Sequence, residues 1–169
     1  MIAIKNILVA TDFGEAADSA LRYGRELAAR FGATLHVLNV MDDLFATGYA
    51  VEAYSAFVPE MQQAVETAAR RRLRELLVDS DGSGPPTTSA IRTGSPVYTI
   101  VDYAREHGID LIVMGTHGRG ALAHVVMGSV AERVVRLAPC PVLTVRHPEH
   151  EFVRPDALAV PVRARPLEA

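Results

Sequence analysis

At 169 residues the chain is long enough for one domain with a sizeable hydrophobic core, and 49% of it is apolar. Its 17 basic and 20 acidic side chains leave a formal charge of −3, so no global field favours nucleic acid or an anionic membrane surface. No apolar run approaches the roughly 18 residues that a membrane span needs. The single cysteine, Cys140, excludes an intrachain disulfide and a thiolate metal cluster. It stands between Pro139 and Pro141 and reads as a small buried hydrophobe. Met1 to Lys5 leads straight into a strand pattern without a signal peptide, and the expected compartment is the cytoplasm.

The first element is the run Ile4 to Ala10, dense enough in branched apolar residues for a strand buried on both faces of a parallel sheet. It ends in Thr11-Asp12-Phe13-Gly14. Ala17, Ala20, Leu21, Gly24, Leu27, Ala28 and Phe31 recur at helical spacing, a slim stripe whose small residues let a helix lie close to the sheet. Gly32 supplies the stop. Thr34 to Val40 follows as a strand whose alternate polar residues predict less complete burial. Residues 41–58 hold Phe45, Tyr49, Tyr54 and Phe57 without a clean period, as in a flap or a contact surface.

Pro59 opens a second helical pattern through Met61, Val65, Ala68, Ala69, Leu73 and Leu76-Leu77. The basic cluster Arg70-Arg71-Arg72 with Arg74 lies in it beside Glu66 and Glu75, which reads as a solvated face. Asp79 to Pro86 is a surface loop, and Thr87 to Arg92 is a weakly apolar strand. Ser95-Pro96 marks a helix start, Val97, Ile100, Val101 and Ala104 form its stripe, and Gly108 ends it. Ile109 to Met114 is a buried strand followed by the glycine-rich turn Gly115-Thr116-His117-Gly118-Arg119-Gly120. A last helix runs from about Gly128 to Leu137, and Pro141 to Val145 is the closing strand. Alternating strands and helices imply right-handed crossovers and an open, Rossmann-like parallel sheet with helices on both faces. Residues 1–147 are expected to form the domain, and the proline-rich stretch 148–169 a tail.

Ligands of such sheets bind beyond the carboxyl ends of the strands, where the strand order reverses. Two unusual loops leave such ends: Ala10 to Gly14, and Gly115 to Gly120 continuing to Gly128-Ser129 at a helix start. Glycine-rich turns expose N–H groups, and a helix start adds unsatisfied donors, a partial positive charge and here the Ser129 hydroxyl. Together they make a phosphate cradle that needs no lysine. Glycines also shape ordinary loops, and Asp12 also suits the cap of its own turn, a role compatible with a ligand contact. Arg119 offers several donors to a phosphate oxygen or stands as a surface arginine, and His117 reads as structural or exposed. The chain lacks G-x-x-x-x-G-K-[ST], a G-x-G-x-x-G after the first strand, a G-x-S-x-G elbow and an H-E-x-x-H pair. Ligation of a metal by protein side chains is therefore not expected.

Gly115, Gly118, Gly128 and Ser129 fit the spacing G-x2-G-x9-G-[S/T]. With Ile7 to Phe13, Asp110 to Gly118, Gly128 to Ala131 and Cys140 to Val145, the chain resembles the ATP-binding subclass of the universal stress proteins over residues 2–146. The resemblance implies a five-stranded sheet of order 3-2-1-4-5. It implies that Asp12 contacts the ribose, that Ala10 and Thr11 line the adenine end, and that Val40 touches the adenine. Gly115, Gly118, Gly128, Ser129 and Val130 would hold the phosphates of ATP, with Mg²⁺ or Mn²⁺ bridging them. It further implies a homodimer through the last strand, Val142 to Val145. The expected function is nucleotide-responsive regulation in stress adaptation with at most slow hydrolysis. An AMP-preferring binder, a nucleotide-independent interaction module and a metal-dependent phosphohydrolase are the alternatives.

Overall fold

The computed structural model describes residues 3–41, 58–77, 84–116 and 127–146. Strands and helices alternate along them: β1 (Asn6–Thr11), α1 (Glu15–Phe31), β2 (Thr34–Met41), α2 (Val58–Leu76), β3 (Thr87–Thr93), α3 (Pro96–Glu106), β4 (Leu111–Gly115), α4 (Ser129–Leu137) and β5 (Val142–Val145). The strands form one parallel five-stranded sheet, order β3-β2-β1-β4-β5, as expected. The chain winds outward from β1 to β3, then crosses back to β4, so the order reverses between β1 and β4.

Both faces of β1 are buried, with Ile7, Leu8 and Val9 at 0% exposure. Ile7 and Val9 lie with Leu35, Val37, Val113 and Val145 under Ala20, Leu21, Ala28 and Leu73, so α1 and α2 cover this face. Leu8, Leu38, Ile112 and Met114 pack on the other face against Val97, Ile100 and Tyr103 of α3 and Val134 of α4. α1 lies so close that a Cβ on Gly24 would stand 2.3 Å from Val9 Cγ2. The small-residue stripe thus sets the distance between helix and sheet. Asp110 joins the amino ends of β1 and β4, accepting from the amides of Lys5 (2.7 Å) and Asn6 (3.0 Å). α1 stops at Gly32, φ 63°, and α3 starts at the extended Ser95 with Pro96 in its first turn.

Three expectations need correction. β2 is as buried as β1, because its polar side chains find internal partners: Asn39 Nδ2 donates to Thr11 O at 2.8 Å, and His36 Nδ1 lies 3.2 Å from Tyr103 Oη. Phe31, the last residue of the α1 stripe, is 46% exposed at the helix end. In α2, Ala69 and Leu73 are buried while Met61, Val65 and Ala68 are exposed, so only the carboxyl-terminal half seats on the sheet. The weakly apolar β3 is explained by its place at the sheet edge. The basic cluster is largely a solvated face, with Arg70 Nε 3.0 Å from Glu66 and Arg71 3.9 Å from Glu75. Cys140 is half-buried against the α3/α4 face, and burial pushes its thiol pKa up. Among the described residues no helix is long and apolar enough to cross a membrane. The aromatic stretch at 42–57 and the tail at 148–169 lie outside the described residues.

Candidate functional site

The reversal between β1 and β4 brings several predicted residues to one end of the sheet. β1 ends in Ala10 and Thr11, paired with Leu38 and Asn39 of β2, and β4 ends in Gly115, paired with Val145 of β5. Past β4, the Thr116 amide donates to Val145 O (2.8 Å), and Thr116 O accepts the Gly128 amide (2.6 Å). These two bonds fix the start of α4 beside the carboxyl ends of β4 and β5.

Gly128 caps α4 in an extended conformation, φ −69° and ψ 152°, and contributes no side-chain bond. The first intrahelical bond runs from Glu132 N–H to Gly128 O (3.0 Å). The amides of Ser129, Val130 and Ala131 therefore have no acceptor within the helix, which makes this end a site of partial positive charge. Ser129 is exposed and adds a hydroxyl. The Gly128 amide, expected to serve a ligand, serves Thr116 instead; what Gly128 offers is the turn into the helix.

Half-buried Ala10, Val40, Met127 and Val130 pack against the α3/α4 side of the core, giving this end an apolar wall. Thr11 is buried, and its hydroxyl accepts the Phe13 amide at 3.0 Å. Asp12 Oδ1 accepts the Gly14 amide at 3.0 Å, so the capping role expected for this carboxylate is present. Phe13 has φ 64°, a left-handed backbone that a bulky side chain adopts at a cost of about 1–3 kcal/mol. Nothing in the sequence signalled it; the glycine that usually takes such a position follows one residue later.

Gly115 has a structural reason of its own. A Cβ there would lie 2.8 Å from Ala16 Cβ, 2.9 Å from Ala16 C and 3.0 Å from Ala16 O. The first glycine of the spacing thus lets α1 start against β4, whatever a ligand does. His117, Gly118 and Arg119 lie outside the described residues, so the cradle is described from its two ends, Gly115 and Gly128 to Val130. An open groove along α2, lined by residues such as Glu60, Thr67 and Arg71, lies on the helix that covers the other face of the sheet and includes none of the predicted residues. Among the described residues no cluster of three or more His, Cys, Asp or Glu is placed to hold a metal ion.

The arrangement offers main-chain donors for an anion, a hydroxyl, a carboxylate and an apolar wall within one fold end. Comparison with known proteins identifies the family of this fold. The universal stress protein family model matches residues 3–146. A universal stress protein of Methanocaldococcus jannaschii is 30% identical over 147 residues, covering 87% of this chain and 85% of that protein. The structure of the universal stress protein UspA from Lactobacillus plantarum superposes with a TM-score of 0.72 at 34% identity, over 86% of this chain and 100% of the other. A universal stress protein solved in complex with cAMP shares the fold, with a TM-score of 0.55 at 22% identity over 85% and 98% of the two chains. By the match over residues 3–146 and by these relatives, the chain belongs to the universal stress protein family.

Proposed function

We propose that this protein binds an adenine nucleotide, ATP with Mg²⁺ or Mn²⁺, and acts as a nucleotide-responsive regulator in stress adaptation rather than as a rapid enzyme. The observation that carries the reading is the open first turn of α4, tied by Gly128 and Thr116 to the carboxyl ends of β4 and β5. An anion placed there meets three amides and the Ser129 hydroxyl without displacing any intrahelical bond. Ala10, Thr11 and Val40 supply the wall for the base, and Asp12 the acceptor for a ribose hydroxyl. Ser129, Val130 and the turn at Gly115, Gly118 and Gly128 take the phosphates, with Arg119 as a further donor.

The residues present fit the group: main-chain donors suit phosphate oxygens, while the metal enters as the phosphates' own counter-ion and neutralises their charge. Asp12, whose Oδ1 accepts the Gly14 amide, orients a sugar better than it would activate water. Hydrolysis in this reading is slow. Residues 1–147 form the binding unit and 148–169 an appended tail, in the cytoplasm. Two copies pair along β5, an edge strand whose Leu143 is 37% exposed.

The test is calorimetric titration of the nucleotide-stripped protein with MgATP. One site per chain with micromolar affinity is expected, and Ser129→Ala should bind about 10-fold more weakly, the worth of one hydrogen bond to a charged group. A folded wild-type protein that takes up neither ATP nor AMP refutes the reading and leaves the fold.

A further inference from the structure

The turn between β1 and α1 joins the two sides of the sheet. Phe13 packs against the α1/α2 face of the core, whereas Ala10, Val40, Met127 and Val130 pack against the α3/α4 face. Thr11 and Asp12 lie between Ala10 and Phe13. Arg72 of α2 lies over the Phe13 ring, its guanidinium carbon 5.0 Å from the centroid. That distance lies within cation–π range. The Phe13 amide is bound by Thr11 Oγ1 and the next amide by Asp12 Oδ1.

A bulky residue stays at φ 64° only where its surroundings over-determine it. Here the ring contact, the cation and the two short-range hydrogen bonds together hold the turn. The same turn fixes the plane of the Asp12 carboxylate, because Oδ1 is engaged by the amide that directly follows Phe13. Arg72 stands out from its neighbours: Arg70 and Arg71 pair with glutamates along the helix, while Arg72 reaches the turn.

We propose that Phe13, clamped by Arg72 of α2, is a positioning residue that presets the Asp12 carboxylate for the ribose, so that selection of the sugar depends on a helix on the opposite face of the sheet. This rests on the nucleotide reading above. Phe13 touches no ligand in this account; it acts through Asp12. A flexible turn would give Asp12 many orientations, and ordering it on binding would weaken the contact to the 2′-hydroxyl.

The experiment compares MgATP with its 2′-deoxy analogue by calorimetry on the stripped full-length protein, with thermal unfolding of each variant recorded alongside. Wild type is expected to favour the ribonucleotide by about 10-fold, and Asp12→Ala to abolish the preference. Phe13→Gly should lose most of that preference while affinity for the deoxy analogue changes less than about 3-fold, and adding it to Asp12→Ala should change nothing further. Arg72→Gln, on an exposed helix face, should reduce the preference about 2-fold with Tm lowered by no more than about 4 °C; it decides the matter if Phe13→Gly does not fold. A merely structural Phe13 would weaken both nucleotides alike and leave the ratio intact, which overturns the inference while the nucleotide reading stands. A folded wild type that binds neither nucleotide overturns the reading and the inference with it.

Discussion

Gly115→Ala separates packing from ligand binding, because the steric consequence is calculable without any ligand. The added Cβ would sit 2.8–3.0 Å from Ala16 Cβ, C and O. Ordinary carbon contacts are about 3.5–4.0 Å, so the overlap is roughly 0.5 Å or more. Two of the three atoms are main chain in the first turn of α1, so no rotamer change relieves the clash; helix or strand must shift. Overpacking of this kind costs about 1–3 kcal/mol, offset by about 0.4–1 kcal/mol from the stiffer unfolded chain. The net loss, about 1.3 kcal/mol at the middle of these ranges, lowers Tm by roughly 3–5 °C for a chain of this size. The assay is thermal and urea unfolding of nucleotide-stripped protein. Since α1 follows directly on the Asp12–Gly14 turn, MgATP affinity should fall as well. Ala16→Gly in the same background removes only the 2.8 Å contact and leaves those at 2.9 and 3.0 Å, so rescue should be partial. A variant with wild-type Tm but lost binding would refute the packing argument and make Gly115 a ligand residue alone.

His36 is buried beside Tyr103 and His107, with Arg92 and Glu106 facing the same cluster, and burial followed by the charge of His107 lowers its pKa. A depressed folded-state pKa means that the unfolded chain takes up the proton first. Stability should therefore be full above about pH 6.5 and fall below it, by at most about 1.4 kcal/mol per pH unit from this group. Urea midpoints at pH 7.5 and 5.5 should differ less in His36→Gln than in wild type, and an equal difference would sink the idea. Leu143→Lys should shift sedimentation at micromolar protein toward monomer without altering Tm of the monomer, and an unchanged sedimentation coefficient would exclude β5 as the pairing edge. Saturating MgATP at about 100 times Kd should raise stability by about 2.7 kcal/mol, read as a rise in Tm; no rise would contradict binding to the native state.

Apolar runs at 7–9 and 111–114 needed no context to be read as doubly buried strands, since both faces demand branched residues. β2 misled the reading because periodicity counts His36 and Asn39 as solvent-facing. Their burial depends on Tyr103 and on Thr11 O, which lie 67 and 28 residues away in sequence. In α2 the stripe through Met61 and Val65 is genuine, yet it extends beyond the buried part of the helix, a fact of length and placement that no local pattern carries. Sheet order came with the family resemblance and not from periodicity. Glycine spacing led to the end of the fold where the candidate site is placed. It left two things hidden: that Gly115 is required by Ala16, and that the Gly128 amide is spent on Thr116. The left-handed Phe13 was invisible because its support comes from the core beneath the ring and from Arg72.

These particulars explain why side-chain motifs were so uninformative. The described part of the candidate site is built mainly from main chain: first-turn amides of α4, a turn fixed by its own short bonds, and strand ends that form an apolar wall. Main-chain donors held by secondary structure lose little freedom when a ligand arrives, so affinity does not require a lysine or a dense positive field. The cost of such a site is that its geometry belongs to the scaffold. The amide end of α4 hangs on Thr116, and Thr116 hangs on Val145 at the last position of β5. A shift of that edge strand moves the helix start with it. In the proposed assembly, pairing along β5 and occupancy of the α4 amides act on one short chain of hydrogen bonds. Any coupling between them must be reciprocal: a nucleotide that tightens pairing is itself bound more tightly by the paired form, by the same factor.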